Sequence, residues 1–143
     1  MDTAEVLLKT KGHEIRSVPP DASVYDALIM MADKEVGALL VMEKDELVGI
    51  ISERDYARKI IIKGKASKDT LVREIMTAKV IYVNIHTPVH DCMALMTEKR
   101  IRHLPVFNRE QLVGLISIGD VVKDIISEQE FVIEQLEKYI TGR

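Results

Sequence analysis

One cysteine, Cys92, stands in 143 residues. It cannot close an internal disulfide, and this usage suits a reducing compartment, so a cytoplasmic protein is expected. No apolar run approaches the ~20 residues that a helix needs to cross a bilayer. The opening MDTAEVLLKT is too charged and too short in apolar residues to read as a secretory leader. There is no surplus of positive charge. With 20 Lys and Arg against 23 Asp and Glu, the net charge is −3 and the pI about 5.8, which argues against nucleic acid as a partner. Neither Gly-x-x-x-x-Gly-Lys-Ser/Thr nor Gly-x-Gly-x-x-Gly occurs, and there is no Gly-x-Ser-x-Gly elbow. His13, His86, His90 and His103 show no metal-ligand spacing with Cys92. The carboxylates lie at helix starts without an obvious paired partner. No catalytic residues and no metal site are expected, and the chain does not read as an enzyme.

Hydrophobic residues make up 47% of the chain, enough for a core. They are arranged twice. Gly49-Ile50-Ile51-Ser52-Glu53-Arg54-Asp55 reappears 65 positions on as Gly114-Leu115-Ile116-Ser117-Ile118-Gly119-Asp120. The same displacement pairs Val24 with Val89, Met31 with Met96, Leu39 with Leu104 and Val41 with Val106, without a gap from residue 15 to 61. Such a repeat means two copies of one supersecondary unit that cover each other's apolar faces. Pseudo-two-fold symmetry follows, and any cleft between copies should occur twice.

Each copy has the same order of elements. Glu14 to Val18 reads as a strand, stopped by Pro19-Pro20. Ser23 offers an N-cap to a helix over Val24 to Ala32, whose apolar residues follow helical spacing. Ala38 to Met42 is an apolar run too short for a helix and reads as a strand buried on both faces. The polar turn Glu43 to Glu46 joins it to a strand over Leu47 to Ile51, making a hairpin. Ser52 then caps a helix to about Lys63, with Glu53 and Asp55 in its first turn. In the second copy, Val80 to Val83 is a strand. Thr87-Pro88 is read as an N-cap followed by a proline at the first helical position. The helix ends near Lys99, a hairpin spans His103 to Ile116, and Ser117 caps a last helix. That helix continues beyond the repeat, with Val132, Leu136 and Ile140 on one face and Tyr139 beside it. The expected divisions are an arm over 1–10, repeats over 11–66 and 67–128, and a helical extension over 129–143. The fold class is α/β (α+β). Cys92, opposite Ala27, is expected to be a buried apolar residue.

The ends of the two hairpins carry the chemistry. A glycine there lets backbone approach something closely. The serine sits where a strand meets a helix N-terminus, with unpaired amides and a positive dipole end that suit an anion. An aspartate three residues on can accept two hydrogen bonds, as a pair of ribose hydroxyls would offer. A cap without a ligand explains either copy alone; two copies beside a cleft favour a ligand. Arg102-His103 opens a strand in the second copy and could contact phosphate. The first copy has Gly37-Ala38 there, and instead has Arg54 beside Asp55, where the second has Gly119. The two sites should be unequal.

These motifs resemble the cystathionine beta-synthase (CBS) domain family, and the chain looks like one tandem pair, a Bateman module. The resemblance runs from about Lys11 to Glu128 and includes Arg-His-Leu-Pro-Val and the Val-Arg-Glu-Ile-Met-Thr stretch at Val72 to Thr77. The stretch Ser52 to Lys59 is similar to stand-alone bacterial and plant-type pairs. It implies two β-α-β-β-α units and adenosine ligands held between them: AMP, ADP, ATP, NAD or S-adenosylmethionine. It also implies a homodimer. By resemblance, Asp120 would hold one ribose and Ser117 its ribose or phosphate, with Arg102 and His103 at phosphate. Ile15, Arg16, Val36 and Ala38 would frame that adenine. In the second site Asp55 would hold ribose, with Ser52 and Arg54 toward phosphate, and Val80, Ile81, Ile101 and His103 would border the adenine. No catalytic cofactor is implied.

The leading reading is therefore a non-catalytic sensor of adenosine nucleotides that signals to an effector protein by changing conformation. A second is a ligand-independent dimerisation or interaction module using the C-terminal helix. A third, nucleic-acid binding, would need a cluster such as Arg54, Arg58, Lys59, Lys63 and Lys65.

Overall fold

A computed structural model describes residues 2–141. Its elements are α1 (Ala4–Lys11), β1 (Ser17–Val18), α2 (Val24–Lys34), β2 (Ala38–Glu43), β3 (Glu46–Ser52), α3 (Glu53–Tyr56), α4 (Val72–Ile75), β4 (Val83–Asn84), α5 (Val89–Lys99), β5 (His103–Asn108), β6 (Gln111–Ser117) and α6 (Ile118–Thr141). A single π-helical turn, Ala57–Ile61, prolongs α3, and a 3-10 turn covers Ser67–Asp69. The mixed α+β class, the two repeats and the C-terminal helical extension are as expected.

The chain forms two compact units. One contains residues 15–80, the other residues 1–14 together with 81–143. In the first unit, β1 pairs parallel with β2, which pairs antiparallel with β3. A parallel neighbour requires a crossover, supplied here by α2. Ser23 Oγ accepts the Asp26 N–H at 3.0 Å and starts that helix as expected. Glu35, with φ of 56°, ends it in the left-handed region without a glycine. The hairpin turn sets Lys44 and Asp45 at positive φ, as a two-residue turn between twisted strands demands. Ala38, Leu39, Leu40 and Val41 are all buried, as expected of a strand covered on both faces. The core gathers Val18, Val24, Ala27, Met31, Leu39, Val41, Ile51, Ile60, Val72 and Ile75.

The second unit repeats this sheet as β4-β5-β6. The register is preserved: Leu39 faces Ile51, and Leu104 faces Ile116. Both hairpins carry an irregularity at the same point, after Val41 and after Val106. One cap differs from the expectation. Pro88 itself occupies the N-cap of α5 in extended conformation, and the Thr87 hydroxyl accepts from the Asn84 N–H at 3.2 Å. The Pro88 carbonyl accepts the N–H groups of Asp91 and Cys92. Cys92 is buried, and burial, reinforced by Asp91, pushes its thiol up to about 11, consistent with a packing role.

The compact units do not coincide with the repeat boundary at 66/67. Residues 67–80 pack with the first repeat, and the N-terminal arm packs with the second. The arm forms two full turns of helix, and Ala4, Leu7 and Leu8 enter the second unit's core. The two leading segments dock alike. Val72 N donates to Ala22 O at 2.8 Å, and Ala4 N donates to Thr87 O at 2.9 Å. Val24 N donates to Thr70 O at 2.8 Å, and Val89 N donates to Asp2 O at 2.9 Å. These segments match at a displacement of 68 instead of 65, which is why the gapless repeat does not reach them.

Gly114 and Gly49 explain the close docking. A Cβ on Gly114 would lie 2.6 Å from Leu8 Cδ2, and one on Gly49 would lie 2.6 Å from Met76 Sδ. The close approach expected at these glycines is thus made by the chain's own leading segments. Leu8→Ala should cost about 2–5 kcal/mol by opening a cavity. Gly114→Ala should cost about 1–3 kcal/mol by overpacking. Because the new methyl fills part of the cavity, the double variant should lose less than the sum in urea unfolding. Strict additivity would refute this packing account.

Candidate functional site

Each β-hairpin delivers a serine to the start of a helix, and the backbone explains the placement. Ser52 is the ladder partner of Ala38, and Ser117 is the partner of His103. The residue before each ladder partner anchors the helix start. Glu53 N donates to Gly37 O at 3.0 Å, and Ile118 N donates to Arg102 O at 2.8 Å. The strand mouth and the helix start therefore stay together in both units. Ahead of each mouth, a left-handed residue turns the chain out of a helix. Glu35 does this before Val36, and Arg100, with φ of 55°, does it before Ile101.

In the first unit, Asp55 Oδ2 accepts the Ser52 N–H at 3.0 Å and the Ser52 hydroxyl at 3.1 Å, while Ser52 Oγ accepts the Asp55 N–H at 3.2 Å. This is a reciprocal capping box, with aspartate in the place of the usual glutamate. Lys59, four residues on, completes the group. Its ammonium lies 3.2 Å from Asp55 Oδ1 and donates to Ile75 O at 2.8 Å. Lys59 is thus committed to Asp55, which weakens the basic cluster that nucleic-acid binding would require.

In the second unit the cap recurs. Asp120 Oδ2 accepts the Ser117 N–H at 2.7 Å and its hydroxyl at 3.0 Å, and Ser117 Oγ accepts the Asp120 N–H at 3.3 Å. The cation differs. Position 124, which matches Lys59, is an aspartate. Lys11, from the end of α1, takes its place, 2.7 Å from Asp120 Oδ2 and 2.9 Å from Leu115 O. Burial acts to raise the Asp120 carboxyl. The Lys11 hydrogen bond, the Ser117 N–H, the Lys11 charge and the Ser117 hydroxyl outweigh it and hold the group below its ordinary range.

His103 belongs to the same cluster. Burial, and then the Lys11 ammonium, push its imidazole down to about 4; Asp120 opposes them and Arg102 adds to them. At neutral pH it is uncharged, so the expected Arg102-His103 pair presents one cation, with His103 as a neutral donor or acceptor.

Of the residues singled out in sequence, Ile81, Ile101, Arg102, His103, Ser117 and Asp120 fall in the second unit. Ile15, Arg16, Val36, Ala38, Ser52, Arg54, Asp55 and Val80 fall in the first. Ala38 is fully in the core, whereas Ile15 is exposed. Two lysines were not singled out as site residues. Lys59 had a local signal, its spacing of four from Asp55. Lys11 had none, being 109 positions from Asp120.

A model of the CBS domain matches residues 10–62 and again 72–127. The mitochondrial CBS domain-containing protein CBSX3 of Arabidopsis thaliana is 46% identical over 127 residues, 85% of this chain and 62% of that protein. The chain thus spans less than two thirds of that relative's length. A protein with CBS domains from Burkholderia ambifaria MC40-6 superposes with a TM-score of 0.85 at 50% identity, covering 90% of this chain and 96% of that one. The CBS domain pair of protein MJ0100, solved with 5′-methylthioadenosine and S-adenosyl-L-methionine, has the same fold, with a TM-score of 0.79 at 22% identity, covering 90% and 98%.

Two titrations in the second unit should oppose each other. His103 is held neutral in the folded state, so its contribution to stability is complete above about 6.5 and is lost as pH falls toward about 4. Asp124 is raised to about 6, by burial first and then by the neighbouring Asp2 and Glu128, with His90 opposing. Its contribution is complete below 3.8 and is lost as pH rises through about 6. Between pH 4 and 6, relative to wild type, the thermal midpoint of Asp124→Asn should climb with pH and that of His103→Gln should fall. Profiles parallel to wild type would contradict both assignments.

Proposed function

The chain belongs to the CBS domain family, and on that premise we propose that this tandem pair is a non-catalytic regulatory module that binds adenosine-containing ligands. AMP, ADP and ATP are the first candidates, with NAD and S-adenosylmethionine as alternatives. The observation that carries this is the duplicated serine–aspartate arrangement at a helix start. In both units a carboxylate is held by its cap and lies beside a lysine. Such a group accepts paired hydroxyls, and the N-terminal amides and nearby cations favour an anion. Asp120 and Ser117 form the ribose end of one site, with Arg102 and neutral His103 near its phosphate; in the other, Asp55 holds the ribose, with Ser52 and Arg54 toward phosphate. Ile15, Arg16, Val36 and Ala38 frame the first adenine, and Val80, Ile81, Ile101 and His103 the second. Ligand binding shifts a conformational equilibrium that an effector protein reads, in a reducing compartment, taken to be the cytoplasm.

A specific observation supports a second use of the same chain. The distal half of α6 exposes Phe131, Val132, Ile133, Leu136, Tyr139 and Ile140. Val122, Ile125, Gln129, Val132, Leu136 and Tyr139 follow alternating spacings of three and four, and Ile126, Ile133 and Ile140 recur every seven residues. That is the pattern of a helix that packs along another helix. We propose a homodimer in which this stripe is covered.

Calorimetry with AMP, ATP, NAD and S-adenosylmethionine tests the first reading; absence of both heat and thermal shift with all four would remove it. Asp120→Ala should weaken binding about 10–100-fold at one site, the loss for hydrogen bonds to a charged group. Leu136→Asp with Ile140→Asp should convert a dimer to a monomer in sedimentation while ligand heat persists at one site per chain or more. An unchanged mass would reject the helical interface.

A further inference from the structure

One side-chain cluster of the second unit has no counterpart in the first. Asp124 lies one turn beyond Asp120 on α6. Facing it are Asp2 from the leading segment, His90 from α5 and Glu128 from the next turn of α6. At the displacement of 65, Asp124, Glu128 and His90 correspond to Lys59, Lys63 and Tyr25; at 68, Asp2 corresponds to Thr70. Three carboxylates and a histidine thus stand where the first unit has two lysines, a threonine and a tyrosine.

The backbone around these positions is the same in both units. Asp2 O accepts the Val89 N–H at 2.9 Å, as Thr70 O accepts that of Val24 at 2.8 Å. Thr3 bridges to Pro88 as Leu71 bridges to Ser23. In the first unit the side chains at this joint are satisfied: the Thr70 hydroxyl donates to Ala66 O at 2.8 Å, and the Lys59 ammonium pairs with Asp55. In the second unit the joint is loaded with acid. The Asp2 carboxyl is within hydrogen-bonding reach of the Asp124 carboxyl. Ionised carboxylates only accept, so that bond exists only when one of the two carries a proton. Asp124 Oδ2 is buried and meets no donor among the described residues. A buried carboxylate oxygen without a donor favours the protonated form. Burial first, then Asp2, then Glu128 raise the Asp124 carboxyl to about 6, while His90, 3.4 Å from Glu128, opposes them.

We propose that Asp2 and Asp124 form an acid-operated clasp: a shared proton holds the start of the leading segment on α5 and α6, and loss of that proton to solvent lets Asp2 and Thr3 come away. The two carboxylates then repel each other, and Val89 N–H loses its acceptor. The release stops at Ala4, because Ala4, Leu7 and Leu8 are buried in the core. The ion pair of Lys11 with Asp120, at the other end of α1, stays in place. The device belongs to the second unit alone, since Thr70 has no charge to gain. Its sign follows from the titration. The clasped state binds the proton more tightly than the open one, so clasping is complete below 3.8 and weakens as pH rises to about 6.

The test is hydrogen exchange of the Val89 amide on the full chain, expressed as its protection relative to the Val24 amide at the same pH. In wild type this ratio should fall about tenfold between about pH 5 and about pH 7, the change that linkage gives for such a shift. Asp124→Asn, uncharged and able to donate to Asp2, should hold the ratio constant. Asp2→Asn should do the same from the other side of the pair. The Cys92 amide, which donates to Pro88 O within α5, should keep its protection throughout. A flat ratio in wild type, or a fall that persists in either variant, overturns the clasp. A fall shared by Cys92 overturns it as well, because the helix start would then be unfolding rather than losing the leading segment.

Discussion

A leucine lying on a glycine governs much of this molecule. Leu8 can reach the β6 backbone only because Gly114 has no side chain, and the contact closes the core around α1. With α1 seated, Lys11 meets Asp120, and its ammonium adds to burial, the larger cause, in holding the imidazole of His103 neutral. One steric permission thus sets an ion pair and contributes to the protonation state of a neighbouring histidine. Met76 on Gly49 is the same contact in the other unit, where it seats the segment that offers Ile75 O to Lys59.

The serine–aspartate pair shows how one arrangement can serve structure and chemistry together. A carboxylate at N3 is favoured by the helix dipole and by two donors from the cap residue. The same forces hold it in place, which a hydrogen-bond acceptor for a ligand needs. The cap and the ligand readings are therefore not rivals, since the cap preorganises the group. The lysines break the symmetry. Lys59 and Lys11 reach equivalent carboxylates from different parts of the chain, and Asp124 stands where a second copy of Lys59 would be.

Most elements were legible because their signals are local. The buried strand at Ala38 to Val41, the Ser23, Ser52 and Ser117 caps and the polar hairpin turns all follow from short patterns. The helix ends at Glu35 and Arg100 were not legible as left-handed turns, because neither residue is glycine or asparagine; the strands that follow hold them there. Helix α1 was not legible either, since a short helix gains stability mainly from what it packs against. Asp55, Asp120 and their serines were visible through repetition, whereas the neutral state of His103 depended on burial and on a lysine far along the chain.

What the chain determines by itself is the duplicated unit: its order of strands and helices, its caps, and the two carboxylates at matching positions. Those rest on propensity, periodicity and contacts between near neighbours. Which leading segment docks on which repeat, which lysine meets which aspartate, and whether a histidine carries charge were decided only by tertiary structure. Each depends on distances between residues remote in sequence. The displacement of 68 instead of 65 in the leading segments conceals their equivalence until backbone hydrogen bonds align them.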